Sequence, residues 1–390
     1  MGTLSMRGVR KTYGKTVALE SMDLDIGDGE FFVILGPSGA GKTTTLKSIA
    51  GLVDIDAGQV SINGVDMTGV EPYHRNVAMA FESYALYPQK TVAQNLASPL
   101  KSGRSGSFSD ADQKQRIDTV TTTLGINHLQ QRLPRELSNG QRQRTALGRV
   151  LVRPADIYLL DEPLSHLDAK LRAQMRAELK QIAQSSSTTT VYVTHDYQEA
   201  LALGDRIAIL RDGKFVQVGT PDEVWRRPVD TFVARSLGMP EMNLLDGVVQ
   251  GGEIRFLGTQ GRIPVPAGID LREGQKVRLG MRPADLELDR GHRGHGDQAS
   301  ASGWYALSGD VFLAERLGRQ VELDIHVDGQ QLIVVEDSDH APAEGDTVGV
   351  QINLANVHIF DGESGDGQEG LRLGSATGPG AAPMQPEAQQ

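Results

Sequence analysis

Gly36-Pro37-Ser38-Gly39-Ala40-Gly41-Lys42-Thr43 matches G-x-x-x-x-G-K-[ST], the pattern of a loop that wraps phosphate. The pattern carries weight only between a strand and a helix, and the flanks supply both. Phe31-Phe32-Val33-Ile34-Leu35 reads as a buried parallel strand, and residues 44–52, with Leu46, Ile49 and Ala50 on one face, read as the helix. Glycines allow backbone N–H groups to turn inward around a β-phosphate at the positive end of the helix dipole. Lys42 then reaches the β- and γ-phosphate oxygens and the Thr43 hydroxyl faces Mg²⁺, so Gly36 through Thr44 is the predicted phosphate contact.

Later segments end on groups that can act on such a phosphate. Ile157-Tyr158-Leu159-Leu160 is a second buried strand, and it delivers Asp161 and Glu162. The first carboxylate suits Mg²⁺ held through water; the second suits polarising the water that attacks a γ-phosphate. Thr190-Val191-Tyr192-Val193-Thr194 ends on His195, which can hydrogen-bond a γ-phosphate and register its presence. A strand at residues 76–81 ends on Glu82, which points into the ligand crevice of such a sheet or is a solvated loop carboxylate. Ser138-Asn139-Gly140-Gln141 opens a helix that runs to about Arg153, and Ser138 with Gln141 fits a capping box. Such a start binds anions or is purely structural, and the residues alone leave both open. Tyr13, in an antiparallel edge over residues 1–30, is either packing or a stacking platform for adenine. The helix after Asp168 carries an apolar stripe of Leu171, Met175, Leu179 and Ile182, with Arg172, Arg176 and Lys180 expected to face water.

At 390 residues the chain exceeds one ordinary core and predicts two or three units. A net charge of -11 argues against nucleic acid and against anionic lipid as partners. No apolar run approaches the roughly 18 residues that span a bilayer, and no signal-peptide core is present, so the expectation is a soluble, cytosolic protein. The count of 0 cysteines removes disulfides, thiolate catalysis and zinc–thiolate sites. Beyond about Gly238 short strands take over: Val321, Leu323, Ile325 and Val327 alternate with charged residues, and Val348, Val350, Ile352 and Leu354 repeat the period. This predicts a small all-β domain, with a Gly/His/Ser-rich insertion at 291–303 and a low-complexity, disordered end after 361.

Assembled, these segments resemble the ATP-binding subunit of ABC transporters over nearly all of residues 3–360. Tyr13 falls at the adenine loop, Leu137 through Gln141 at the signature, Asp161-Glu162 at Walker B, Ser165-His166-Leu167-Asp168 at the D-loop and His195 at the switch. Gly238-Met239-Pro240-Glu241-Met242-Asn243, Gly280-Met281-Arg282-Pro283 and Glu315-Arg316-Leu317-Gly318 resemble the carbohydrate-importer branch, the maltose and glycerol-3-phosphate type. The resemblance implies an α/β P-loop NTPase, a RecA-like core with antiparallel β and helical subdomains, followed by an OB-like all-β regulatory domain. It divides the chain into an ATPase domain at 1–237 with its helical subdomain at about 88–155, a β-rich domain at 238–362 and a disordered tail at 363–390. ATP and Mg²⁺ are the implied cofactors. Glu162, His195 and Lys42 are the implied catalytic residues; Thr43, Asp161 and Glu82 are the implied metal contacts. Two transmembrane permease subunits, an extracytoplasmic solute-binding protein and a second ATPase subunit, identical or not, are the implied partners, with no nucleic acid. The implied place is the cytoplasmic face of the inner membrane. Ser138, Asn139, Gly140 and Gln141 would close over the phosphate loop of that second subunit.

Two positions depart from the family's pattern. Glu82 replaces a glutamine that touches Mg²⁺ or water, adding charge beside a triphosphate. Asn139 replaces the first glycine of the signature pair, a change compatible with positive φ because asparagine tolerates it. These departures open a second reading, in which hydrolysis is slow and ATP binding chiefly clamps the complex.

Overall fold

The chain opens with two antiparallel strands, β1 (Leu4–Tyr13) and β2 (Thr16–Ile26), followed by β3 (Phe31–Leu35), whose five residues are all buried. The computed structural model describes residues 2–81, 83, 85–101, 108–186, 188–256, 258, 261–266, 268–289, 304–362 and 369–375. Helix α1 (Lys42–Ala50) begins two residues before the expected start, directly on the phosphate-loop lysine. Strands β4 (Ala57–Ile62) and β5 (Val65–Asp66) form a hairpin in which Asn63 and Gly64 both take positive φ, 54° and 73°. That pair of angles is what a tight two-residue hairpin turn requires, and Asn-Gly supplies it at low cost. These four strands form one antiparallel sheet in the order β2-β1-β4-β5.

β6 (Val77–Ala80) leads to three helices, α2 (Val92–Lys101), α3 (Asp110–Thr123) and α4 (Asn139–Leu151). Then come β7 (Ile157–Asp161), α5 (Ala169–Ser186), β8 (Thr189–Thr194), α6 (Tyr197–Leu203), β9 (Arg206–Arg211) and β10 (Lys214–Gly219). The second sheet runs β10-β9-β3-β8-β7-β6, parallel except for β10. β7 and β8 are buried along their whole length, which is why they read as unbroken apolar runs. Phe32, Ile34, Leu46, Ile49, Leu159 and Val193 share one core, each side chain contributing about 1.5–3 kcal/mol by leaving water.

α7 (Pro221–Arg226) and α8 (Thr231–Ser236) precede an all-β region with eleven strands among the described residues. β11 (Asn243–Gln250), β12 (Glu253–Phe256), β13 (Arg262–Pro264) and β14 (Lys276–Met281) form a sheet in the order β13-β12-β11-β14, which two later strands extend beyond β14. β15 (Leu286–Leu288), β16 (Trp304–Leu317), β17 (Gln320–Val327), β18 (Gln330–Asp337) and β19 (Thr347–Asn353) make the other sheet, and β20 (His358–Asp361) and β21 (Arg372–Ser375) complete the first. Val321, Leu323, Ile325 and Val327 are buried as the alternation predicts, whereas Gln351 is buried between Val350 and Ile352 and breaks it.

Two expectations change. The chain divides into compact units at Met1–Val224 and Trp225–Gln390, earlier than the expected 237/238. Residues 225–237 pack with the β-rich unit because Arg282 donates to the Leu237 carbonyl and, at 2.8 Å, to that of Trp225, with its guanidinium 3.5 Å over the Trp225 ring. The disordered tail expected from 363 instead contains β21, which pairs with β20, and Leu371 bridges to Asp230. Composition missed it because a four-residue strand drawing its order from a neighbour needs no apolar run of its own. The insertion expected at 291–303 lies outside the described residues.

Candidate functional site

The loop after β3 is built on glycine geometry. Gly41 has φ 110°, and a Cβ there would stand 2.6 Å from the Ala18 carbonyl, so no other residue fits. Gly39 has φ 82° with open space around it, as a backbone that must meet a ligand closely requires. Lys42 folds back over the loop: its Nζ donates to the carbonyls of Gly36 at 2.9 Å and Pro37 at 3.0 Å and lies 3.3 Å from Glu162 Oε1. The ammonium is almost fully buried, held where it would meet phosphate.

Strand β7 brings the acidic pair. Thr43 Oγ1 donates to Asp161 Oδ1 at 3.1 Å, and Asp161 is buried. A hydroxyl beside a carboxylate is the donor set that a hard divalent cation uses while keeping most of its waters. Thr43 and Asp161 are protein oxygens placed together that could hold one. Glu162 leaves the strand with φ 43°, a left-handed conformation that costs a non-glycine residue of order 1–3 kcal/mol. Its N–H donates to the Val193 carbonyl at 3.1 Å, which keeps the turn against β8. The turn aims its carboxylate at two cations or donors at once, Lys42 through Oε1 and His195 Nδ1 through Oε2 at 2.8 Å. Lys42, Thr43, Asp161, Glu162 and His195 are thereby brought together from three separate strand ends.

The helix start at α4 is a built capping box. Ser138 Oγ accepts from the Gln141 N–H at 3.3 Å, and Gln141 Oε1 accepts from the Ser138 N–H at 2.9 Å. Asn139 is the first helical residue and is absent from the non-glycine residues at positive φ, so the allowance made for asparagine there is not needed. Gly140 is tight: a Cβ would lie 3.1 Å from Leu167 Cδ2. Tyr13 ends β1 with 48% of its surface exposed and the Lys11 ammonium 5.4 Å from its ring centre, so it is available as a platform rather than packed away. Glu82 lies outside the described residues.

Sequence reasoning missed a second tier. Arg172, expected in water, donates from Nη1 to Asp196 Oδ2 at 3.2 Å and from Nη2 to the Leu167 carbonyl at 3.1 Å. Its Nε is 3.9 Å from Glu199 Oε1. Glu199 is buried and accepts from the Tyr192 hydroxyl at 2.7 Å and the Thr194 hydroxyl at 2.8 Å; its pKa is raised, by burial above all. The signal available was the spacing Asp196-x-x-Glu199 behind His195, which sets two carboxylates on one helical face.

A cassette-type P-loop ATPase is the class that this sheet order and these strand ends define, and comparison with known proteins agrees. The ABC transporter family model matches residues 19–165, the MalK OB fold domain model 238–286 and the TOBE domain model 279–360. The chain is 40% identical over 366 residues to the sn-glycerol-3-phosphate import ATP-binding protein UgpC of Cereibacter sphaeroides, covering 94% of this chain and 99% of that protein. It is 42% identical over 377 residues to the trehalose/maltose import ATP-binding protein MalK of Thermococcus litoralis, covering 92% and 99%. With the xylose/arabinose import ATP-binding protein XacK of Haloferax volcanii it shares 39% over 384 residues, covering 96% and 97%. A bacterial ABC transporter cassette solved as a dimer is similar in structure, with a TM-score of 0.52 at 30% identity, over 56% of this chain and 98% of that one. The chain belongs to the import ATP-binding proteins of ABC transporters: it binds ATP and is an ATPase.

Proposed function

We propose that this ATPase powers import of a sugar or a related polyol phosphate, working as one of two paired ATPase subunits beneath two transmembrane permease subunits. The observation that carries the proposal is the convergence of Lys42, Thr43, Asp161, Glu162 and His195 at one strand-end cluster. Lys42 orients the transferred phosphate by charge, Glu162 accepts the proton of the attacking water, and His195, fixed by Glu162, keeps that carboxylate turned toward the reaction. Mg²⁺ at Thr43 and Asp161 would neutralise charge developing on the phosphate oxygens. Tyr13 would stack on adenine. Ser138, Asn139, Gly140 and Gln141 would act on the partner's nucleotide at the start of α4, Asn139 and Gly140 through first-turn N–H groups that the capping box does not use. The all-β unit is the regulatory part, and an extracytoplasmic solute-binding protein supplies the solute, which places the ATPase on the cytoplasmic face. The relatives' substrates, a polyol phosphate, two disaccharides and two pentoses, support the solute class. The intact capping box at Asn139 removes one of the two motives for a clamp that hardly turns over.

The test is reconstitution of the complex in vesicles with ATP inside and a panel of sn-glycerol 3-phosphate, maltose, trehalose, xylose and arabinose outside. ATP-dependent accumulation of at least one supports the reading. Steady ATP hydrolysis with no accumulation of any carbohydrate or polyol phosphate overturns the solute class.

A further inference from the structure

Around Arg172 three segments that the mechanism treats separately are tied by one guanidinium. Arg172 lies in the first turn of α5, which Asp168 caps through Oδ1 to the Leu171 N–H at 2.9 Å. Its two Nη atoms take different partners: the Leu167 carbonyl, just before that cap, and the Asp196 carboxylate, just after the switch His195. Asp196 has no freedom to swing, since its Oδ1 accepts from the Gln198 N–H at 2.8 Å and its own N–H donates to Thr194 Oγ1 at 3.0 Å. The same Thr194 hydroxyl donates to buried Glu199, so the residues on both sides of His195 are held while the imidazole itself is 57% exposed. On its other side, Leu167 is buried with its side chain at the Gly140 position of α4.

We infer that Arg172 is a positioning residue, holding His195 in register with the Ser165-His166-Leu167-Asp168 segment and, through Leu167, with the start of α4. A guanidinium is the group this needs, because its planar fork reaches a carbonyl and a carboxylate at fixed separation, which an ammonium cannot do with one nitrogen. The inference rests on His195 being the switch.

The experiment is a double-mutant cycle on ATP turnover in the assembled complex. Arg172→Gln lowers kcat about tenfold with KM for ATP within about twofold, because alignment is lost while the phosphate loop is untouched. Arg172→Lys gives an intermediate rate, one anchor being kept. Asp196→Asn reproduces the loss, since asparagine still caps α6 but carries no charge for Arg172. The pairs Arg172→Gln with His195→Ala, and Arg172→Gln with Asp196→Asn, are no slower than the slower single change in each pair. ATP affinity of the variants, read by equilibrium binding, stays within about twofold of the parent and sets a positioning role apart from a folding defect. Double-variant losses equal to the product of the single losses overturn the inference, as does a parental kcat in Arg172→Gln beside an impaired His195→Ala. A parental rate in His195→Ala overturns the inference and the switch reading together.

Discussion

Glu162 combines a left-handed backbone with two side-chain partners, and a residue held that firmly is expected to act as more than a strand terminus. Glu162→Gln keeps the shape and both contacts' geometry but cannot take a proton, so ATP hydrolysis falls by about 10² or more while equilibrium ATP binding persists. A phosphate-release assay beside a binding titration checks both halves, and parental turnover contradicts the role. Asn139 leads to the opposite expectation. Because it sits at ordinary helical φ in an intact capping box, Asn139→Gly changes the ATPase rate by less than about a factor of two, measured in the same assay. Lys42, Asp161 and Glu162 were legible because strand, loop and helix are local patterns that name their own ends. Arg172 was not, because its 3.6-residue period puts it on the polar face of α5, and only the fold brings Asp196 from 24 positions later to meet it.

Strands and helices were legible wherever one face is buried, as the alternation on β17 and the unbroken run of β7 show. Polar residues inside elements were not. His358, on β20, is polar, yet its Nδ1 is buried without a hydrogen-bond partner. Burial first, then the Arg372 and Arg282 charges, lower its pKa from 6.5 to about 4. The unfolded chain binds a proton at this side chain below pH 6.5 that the folded chain refuses until about pH 4. Stability from this group is therefore complete above pH 6.5 and is lost as the pH falls through 4, by about 3 kcal/mol at most. Both tryptophans, Trp225 and Trp304, lie in the second unit, so denaturant unfolding followed by their fluorescence at pH 7 and pH 4.5 reads this directly. His358→Gln flattens the difference; an unchanged difference removes His358 as its source.

At the scale of the molecule, the division into a P-loop unit and a β unit was readable from the change of period near 238, where the MalK OB fold match also begins, whereas the compact units divide at 224/225. Residues 225–237 look helical and so join the first unit by pattern, while Arg282 holds them to the second by hydrogen bonds that pattern cannot show. A chain of residues 1–226 is thus expected to unfold cooperatively and bind ATP. One of residues 1–240 leaves Ala234, 0% exposed in the full chain and packed there with Met242 and Phe360, without that cover, and aggregates more readily by light scattering. Equal behaviour of the two removes this boundary. The same reasoning reaches the other end. β21 covers the outer edge of β20, with Ile359 opposite Gly374 and Phe360 opposite Arg372. A chain stopped at 362, where composition changes, would keep its core but carry a bare strand whose open N–H and C=O groups accept any extended neighbour, including its own copies. Such a preparation would be a self-templating monomer that grows copy on copy at high concentration, and sedimentation would show it beside a chain ending at 375 that stays at one size.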